Sequence, residues 1–156
     1  MKRTRSAGIV IRDEKVLLMR RKNHGHEYWS FPGGHVDVSE KNEDACAREV
    51  YEETGVAVVV KRCVYKVVWD TGHTELFFLC DYVSGEPHLR PDSIEARITE
   101  TSDQEFEPCW VPYSTVHDML VYPLEIRDLF LSDIPTEFPP EPIVLNLVLV
   151  ERREKI

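Results

Sequence analysis

The 156-residue chain has no apolar run near the roughly 18 residues that a membrane-spanning helix requires. Behind the basic start at Lys2, Arg3 and Arg5 there is no apolar segment of signal-peptide length. Both absences predict a cytoplasmic protein with no membrane partner. CxxC pairs and His/Cys zinc spacings are missing too, so the scattered Cys46, Cys63, Cys80 and Cys109 read as buried free thiols. Positive charge is scarce: 19 Lys and Arg stand against 28 Asp and Glu, a formal net charge of −9. That balance argues against sequence-independent nucleic-acid binding, where a basic surface supplies the affinity. Internal repeats are absent, and the length suits one compact domain whose core needs no metal or disulfide.

Two β-rich runs, at residues 4–12 and 15–21, flank Asp13 and Glu14 and read as an opening hairpin. The polar, glycine-containing stretch 22–28 reads as an exposed loop. A second hairpin-like pair is expected at 57–69 and 73–83, around Asp70, Thr71 and Gly72, and a further strand at 105–112. Residues 88–104 are polar and carry no clear period, which leaves them a long loop of the functional or mobile kind. Leu124, Ile126, Leu129, Phe130 and Leu131 form an apolar stripe that predicts a short helix with Pro123 in its first turn. Periodicity alone thus gives mixed α and β with few parallel crossovers.

The chemistry concentrates between Gly34 and Val56. A helix is expected there from an N-cap near Asn42 to Thr54, with Gly55 as the left-handed residue that ends it. At about 100° per residue, Glu49, Glu52 and Glu53 share an arc of roughly 100°, with Cys46, Ala47, Val50 and Thr54 on the packing side. Crowded carboxylates of this kind are either a solvated acidic face or a site for a hard divalent cation, which prefers oxygen ligands.

The spacing of Gly34, Glu40, Arg48-Glu49, apolar Val50, Glu52-Glu53, Gly55 and apolar Val56 resembles the Nudix box of the Nudix hydrolases at every specified position. Trp29-Ser30-Phe31-Pro32-Gly33 looks like that family's approach to the box. Ser39 and Lys41 depart from its habit around the box glutamate, at positions outside the strict signature. The resemblance implies an α/β (α+β) fold, an α/β/α sandwich on a mixed β-sheet, and Mg²⁺-dependent hydrolysis (Mn²⁺ as substitute) of a diphosphate linkage in a nucleotide. It implies a metal site built from the Gly33 carbonyl, Glu49, Glu52 and Glu53, with Glu40 in salt bridging or as an outer ligand. Arg48, at the border of the acidic face, can hold a glutamate bidentately and fix its aim. In this family the base that activates water is a box glutamate, Glu52 or Glu53 here, or an acidic residue on a later loop, where Glu100 and Glu105 are the candidates.

Substrate contacts are expected from Arg20 and Arg21 at the end of the second strand, from Tyr28, and from His35 inside the box. Some branches carry a diagnostic Pro or Tyr downstream of the box; those places fall on Thr71, Gly72, His73 and Thr74. Elimination therefore favours a nucleoside triphosphate or a less specific nucleoside diphosphate derivative, over ADP-sugar and dinucleoside polyphosphate hydrolysis. A catalytically silent nucleotide sensor is the competing class, and an RNA-cap hydrolase is disfavoured by charge and size. Residues 1–134 are expected to form the catalytic domain. Residues 135–156 form a proline-rich connector and an apolar strand at 143–150, closed by charged residues, which needs its own sheet's edge or a second subunit, as in a homodimer.

Overall fold

The computed structural model describes residues 2–149. Val150 and the charged run behind it lie outside the described residues. The elements in chain order are β1 Thr4–Arg12, β2 Lys15–Asn23, β3 His26–Ser30, β4 Gly33–His35, α1 Asn42–Thr54, β5 Ala57–Trp69 and β6 Thr74–Ser84. Then come α2 Ile94–Thr101, β7 Glu105–Pro112, a 3-10 turn over Tyr113–Asp118, β8 Val121–Tyr122, α3 Leu124–Asp133 and β9 Ile143–Leu147.

The strands make one mixed sheet in the order β8-β3-β2-β1-β6-β5-β9, with β4 also on β1 and β7 also on β2. β1 and β2 pair only around Ile11 with Val16 and Arg12 with Lys15, then diverge: β1 runs parallel to β6, and β2 takes β3 and β7 as antiparallel neighbours. That divergence curls the sheet and leaves both faces to be covered. Side-chain alternation divides them. Ala7, Ile9, Val16, Leu18, Phe77 and α3's Ile126 and Phe130 pack on one face. Val10, Leu17, Phe78, Cys80 and α1's Cys46 and Val50 pack on the other. The result is the α/β/α sandwich expected.

Four local expectations need correction. Residues 22–28 are not a loop: β2 runs on to Asn23 and pairs back through Lys22 with Glu27 and Arg21 with Tyr28. The turn needs only His24 (φ 50°) and Gly25 (φ 80°), both left-handed as a two-residue hairpin turn demands. Polar side chains on both faces of this ribbon hid its period. Residues 88–104 contain α2, started by Ser93, whose Oγ accepts from the Ala96 N–H at 3.1 Å. Asn42 is the first helical residue of α1 and not its cap; Lys41 holds that place and caps with no side chain. The acidic Glu43 and Asp44 of the first turn complement the helix dipole instead. Pro123 likewise precedes α3, its carbonyl accepting from Ile126 and Arg127. Gly55 does end α1, at φ 77°. All four cysteines are free, with Cys46 and Cys80 buried and Cys63 and Cys109 half-buried.

β9 lies parallel on the edge of β5, Tyr65 opposite Ile143 through Trp69 opposite Leu147. The connector before it is held by Arg62, which donates to the Phe138 and Pro139 carbonyls at 3.0 and 3.1 Å. Phe138 packs between Tyr65 and Phe130, ring centroids 6.4 and 6.2 Å away. Phe138→Ala is expected to cost roughly 1–3 kcal/mol in urea unfolding, below the full-core range because the ring is only partly buried. Val144→Ala, at a side chain 53% exposed on the same strand, stays within about 0.5 kcal/mol of the parent.

Candidate active site

Gly33 and Gly34 are not the turn their composition suggests but the first two residues of β4, facing α1, and the absence of side chains there sets the geometry. A Cβ on Gly34 would sit 2.3 Å from the Glu49 carboxylate, so the space a side chain would fill is occupied by that carboxylate. A Cβ on Gly33 would sit 2.3 Å from the Ser6 carbonyl oxygen on β1. Tight β1–β4 pairing is thereby possible, and it aims the Gly33 N–H at Glu53, which accepts at 3.0 Å through Oε2.

Glu53 is therefore on the packed side of α1, 5% exposed, and not on an open acidic face as helical spacing alone suggested. Burial pushes its carboxyl up to about 7, against the opposing pull of Arg5, Arg21 and the Gly33 amide. Glu49 is also raised, by burial first, with Arg48 pulling the other way. Glu52, one turn from Arg48, is half-exposed.

Arg48 ties the acidic groups together. It grips Glu40 through both oxygens (2.8 and 2.9 Å) and donates to Glu49 at 2.9 Å, to Glu52 at 3.1 Å and to the His35 carbonyl at 3.1 Å. The same guanidinium lies 3.6 Å from Asp37. The fork holds Glu40 down to about 2, helped by the Asp37 N–H. With both oxygens so engaged, Glu40 pins the loop between β4 and α1.

The carboxylates line a cleft of about 410 Å³ whose far wall is Arg90, Asp92, Ser93, Ile94 and Glu95. Glu95, in the first turn of α2, and Asp92 just before it are thus the later acidic residues that enter the site. Glu100 lies five residues beyond Glu95, about 140° around the helix, and is exposed. Glu105 is 3.7 Å from Lys22 across the β2–β7 ladder. Neither lines the cleft. Sequence reasoning missed Glu95 because only the Ser93 cap marks where α2 begins.

Strand alternation separates the paired arginines. Arg21 turns inward, bonds Ser30 Oγ at 2.8 Å, lies over the Phe106 ring at 5.2 Å and is felt by Glu53. Burial pulls its guanidinium down. Arg20 faces the other way, toward Glu27 at 3.2 Å and Glu107 at 3.9 Å. Tyr28, opposite Arg21, contacts the rings of His26 and Tyr122. His35 projects away from the cleft into a second cavity with Arg3, Arg5 and His73. Desolvation first, then Arg3, Arg5 and His73, pull its imidazole down.

The NUDIX domain model matches residues 2–128. The chain belongs to the Nudix hydrolase family. The ADP-ribose pyrophosphatase of Methanocaldococcus jannaschii is 33% identical over 104 residues, which cover 62% of this chain and 60% of that protein. The NAD-capped RNA hydrolase NudC of Photorhabdus laumondii is 31% identical over 113 residues, 72% of this chain and 43% of its own length. The chain thus spans less than two thirds of both. Among solved structures, an ADP-ribose pyrophosphatase from Streptococcus suis superposes with a TM-score of 0.64, covering 94% of this chain and all of that one, at 21% identity. That last likeness is one of fold.

The Nudix box donors fit a hard divalent cation by chemistry: carboxylates and a backbone carbonyl, with Glu49 seated in the Gly34 notch and Glu53 buried without a cationic hydrogen-bond partner among the described residues. As placed, no three His, Cys, Asp or Glu side chains among the described residues converge to hold one. Arg48 keeps Glu49 and Glu52 turned to itself, and a cation has to compete with it for them.

Glu53 gives a pH signature to the metal-free protein. Its folded value near 7 lies above the ordinary carboxylate value of 4.5, so its contribution is fully present below pH 4.5 and is lost as pH rises through 7. Thermal unfolding in chelator is expected to show stability falling from pH 5 to pH 8, by an amount on the order of 3 kcal/mol from this group. Glu53→Gln flattens that slope; an equal slope in the variant contradicts the assignment.

Proposed function

We propose that this Nudix protein hydrolyses a diphosphate linkage in a nucleoside diphosphate derivative, with Mg²⁺, or Mn²⁺ in its place, as cofactor. The observation that carries the reading is the buried Glu53, held by the Gly33 N–H and opening together with Glu49 and Glu52 on one cleft. A nucleoside triphosphate is the first substrate to test and ADP-ribose, on the strength of the archaeal relative's name, the second.

The Gly33 carbonyl, Glu49 and Glu53 are the groups that would hold the metal, with Glu52 completing the set once it leaves Arg48. A bound divalent cation supplies charge neutralisation at the phosphoryl oxygens and makes a coordinated water more acidic. The chain itself supplies the rest. Arg21, desolvated and locked by Ser30 and Phe106, sets a fixed positive charge behind Glu53. Glu52 and Glu95, on opposite walls, are the groups that take the proton of the attacking water. Arg48 and Glu40 keep the loop and α1 in register and do not touch the substrate. Arg20 contributes to the fold through its ion pairs with Glu27 and Glu107.

Incubation with Mg²⁺ and a panel of nucleotides, with products identified, tests this. Turnover of at least one diphosphate compound is expected, abolished by chelator. Glu53→Gln is expected to lower kcat by about 10²-fold or more because it removes a charged group that would hold the metal, and Glu95→Gln by about 10²-fold, since positioned proton acceptors contribute about 10²–10⁴. Glu100→Gln and Glu105→Gln leave kcat within about twofold, as expected of surface groups. Nucleotide binding without product would instead assign the chain to the sensor class.

A further inference from the structure

The second cavity, about 340 Å³, is lined by Arg3, Arg5, His35, Trp69, His73 and Glu75, with the Thr71 and Thr74 backbone turn at its rim. Its size falls within the range of small-molecule sites. In a chain with net charge −9 it gathers two arginines and two histidines around one partly buried indole. Arg5 joins it to the candidate active site: one guanidinium nitrogen donates to Glu75, and the other donates to the Gly33 carbonyl at 3.1 Å. Glu75 is thereby spent on Arg5. The Arg3 guanidinium has no carboxylate or hydrogen-bond partner among the described residues, and it is close enough to His35 to act on its charge.

We propose that this cavity recognises a phosphate monoester on the ribose of the nucleotide, outside the scissile diphosphate, with Trp69 against the base and Arg3 and His73 on the phosphate. The inference rests on the hydrolase reading for its substrate class. Three features of the cavity support it. An unpaired guanidinium and two imidazoles are donors suited to a phosphate, and charge-assisted bonds of that kind are the strong ones. An indole bordering the same space gives a nucleobase a flat apolar contact. The Arg5 bridge puts the cavity one strand pair from Gly33, within reach of a ligand whose diphosphate lies over α1.

The test uses the full chain without metal and reads binding, so it does not require turnover. Calorimetric titrations compare AMP, adenosine 2′,5′-bisphosphate and adenosine 3′,5′-bisphosphate. One of the bisphosphates is expected to bind about tenfold or more tightly than AMP. Arg3→Ala and His73→Ala, both away from the carboxylate cleft, are expected to cut that advantage below about threefold while AMP affinity holds. Equal binding of all three ligands by the parent chain overturns the proposal, and so does an advantage that survives both substitutions. Thermal unfolding of the two variants checks that they remain folded. A bisphosphate preference without hydrolysis of any diphosphate compound would sink the enzymatic reading and leave this one standing; hydrolysis without the preference does the reverse.

Discussion

The arrangement depends on one guanidinium. Arg48 holds Glu40 with both oxygens, reaches Glu49 and Glu52 on its own helix, and ties to the His35 carbonyl on β4. Three carboxylates at this spacing on a helix repel one another, and the cation from Arg48 makes their proximity tolerable. It also joins the loop after β4 to α1, on which the buried Glu53 meets the Gly33 N–H of β4. Fold and chemistry meet at this contact: the fork seats the loop on α1, while β1–β4 pairing and the Val36 N–H bond to the Thr4 carbonyl seat it on the sheet.

Burial of Glu53 is the energetic cost that the site carries. A desolvated carboxylate prefers its proton, and near neutral pH this one is poised between its two states. Sites that perform chemistry often hold such groups, because environment sets their proton affinity. Arg5 and Arg21 moderate the cost from two directions, one from β1 beside the second cavity and one from β2. The curl of the sheet brings these arginines to the same carboxylate, since β1 and β2 diverge right after their shared hairpin.

Much of this was legible in the sequence, for definite physical reasons. The box residues stand at fixed offsets on one helix and the segment before it, so local geometry alone places Glu49, Glu52, Glu53 and Arg48 near Gly33 and Gly34. The opening hairpin and the β5–β6 pair showed through their periods and turn residues. Where an outcome depended on tertiary register, the sequence was silent. Arg20 and Arg21 look alike in a list of basic residues, and only pairing with β3 and β7 decides which one faces Glu53. Glu95 escaped notice because α2 is short and mostly polar. That Glu53 is buried while Glu52 is half-exposed follows from how α1 leans on β4, which helical spacing does not encode.

We propose that Glu49, Glu53 and the Gly33 carbonyl form a site for a divalent cation that competes with Arg48 for Glu49. Titration of the metal-free protein with Mn²⁺, followed by electron paramagnetic resonance, tests it directly. Saturable binding is expected, weakened about tenfold or more in Glu49→Gln and in Glu53→Gln, because each removes a charged ligand. Mn²⁺ affinity that both substitutions leave unchanged would contradict it.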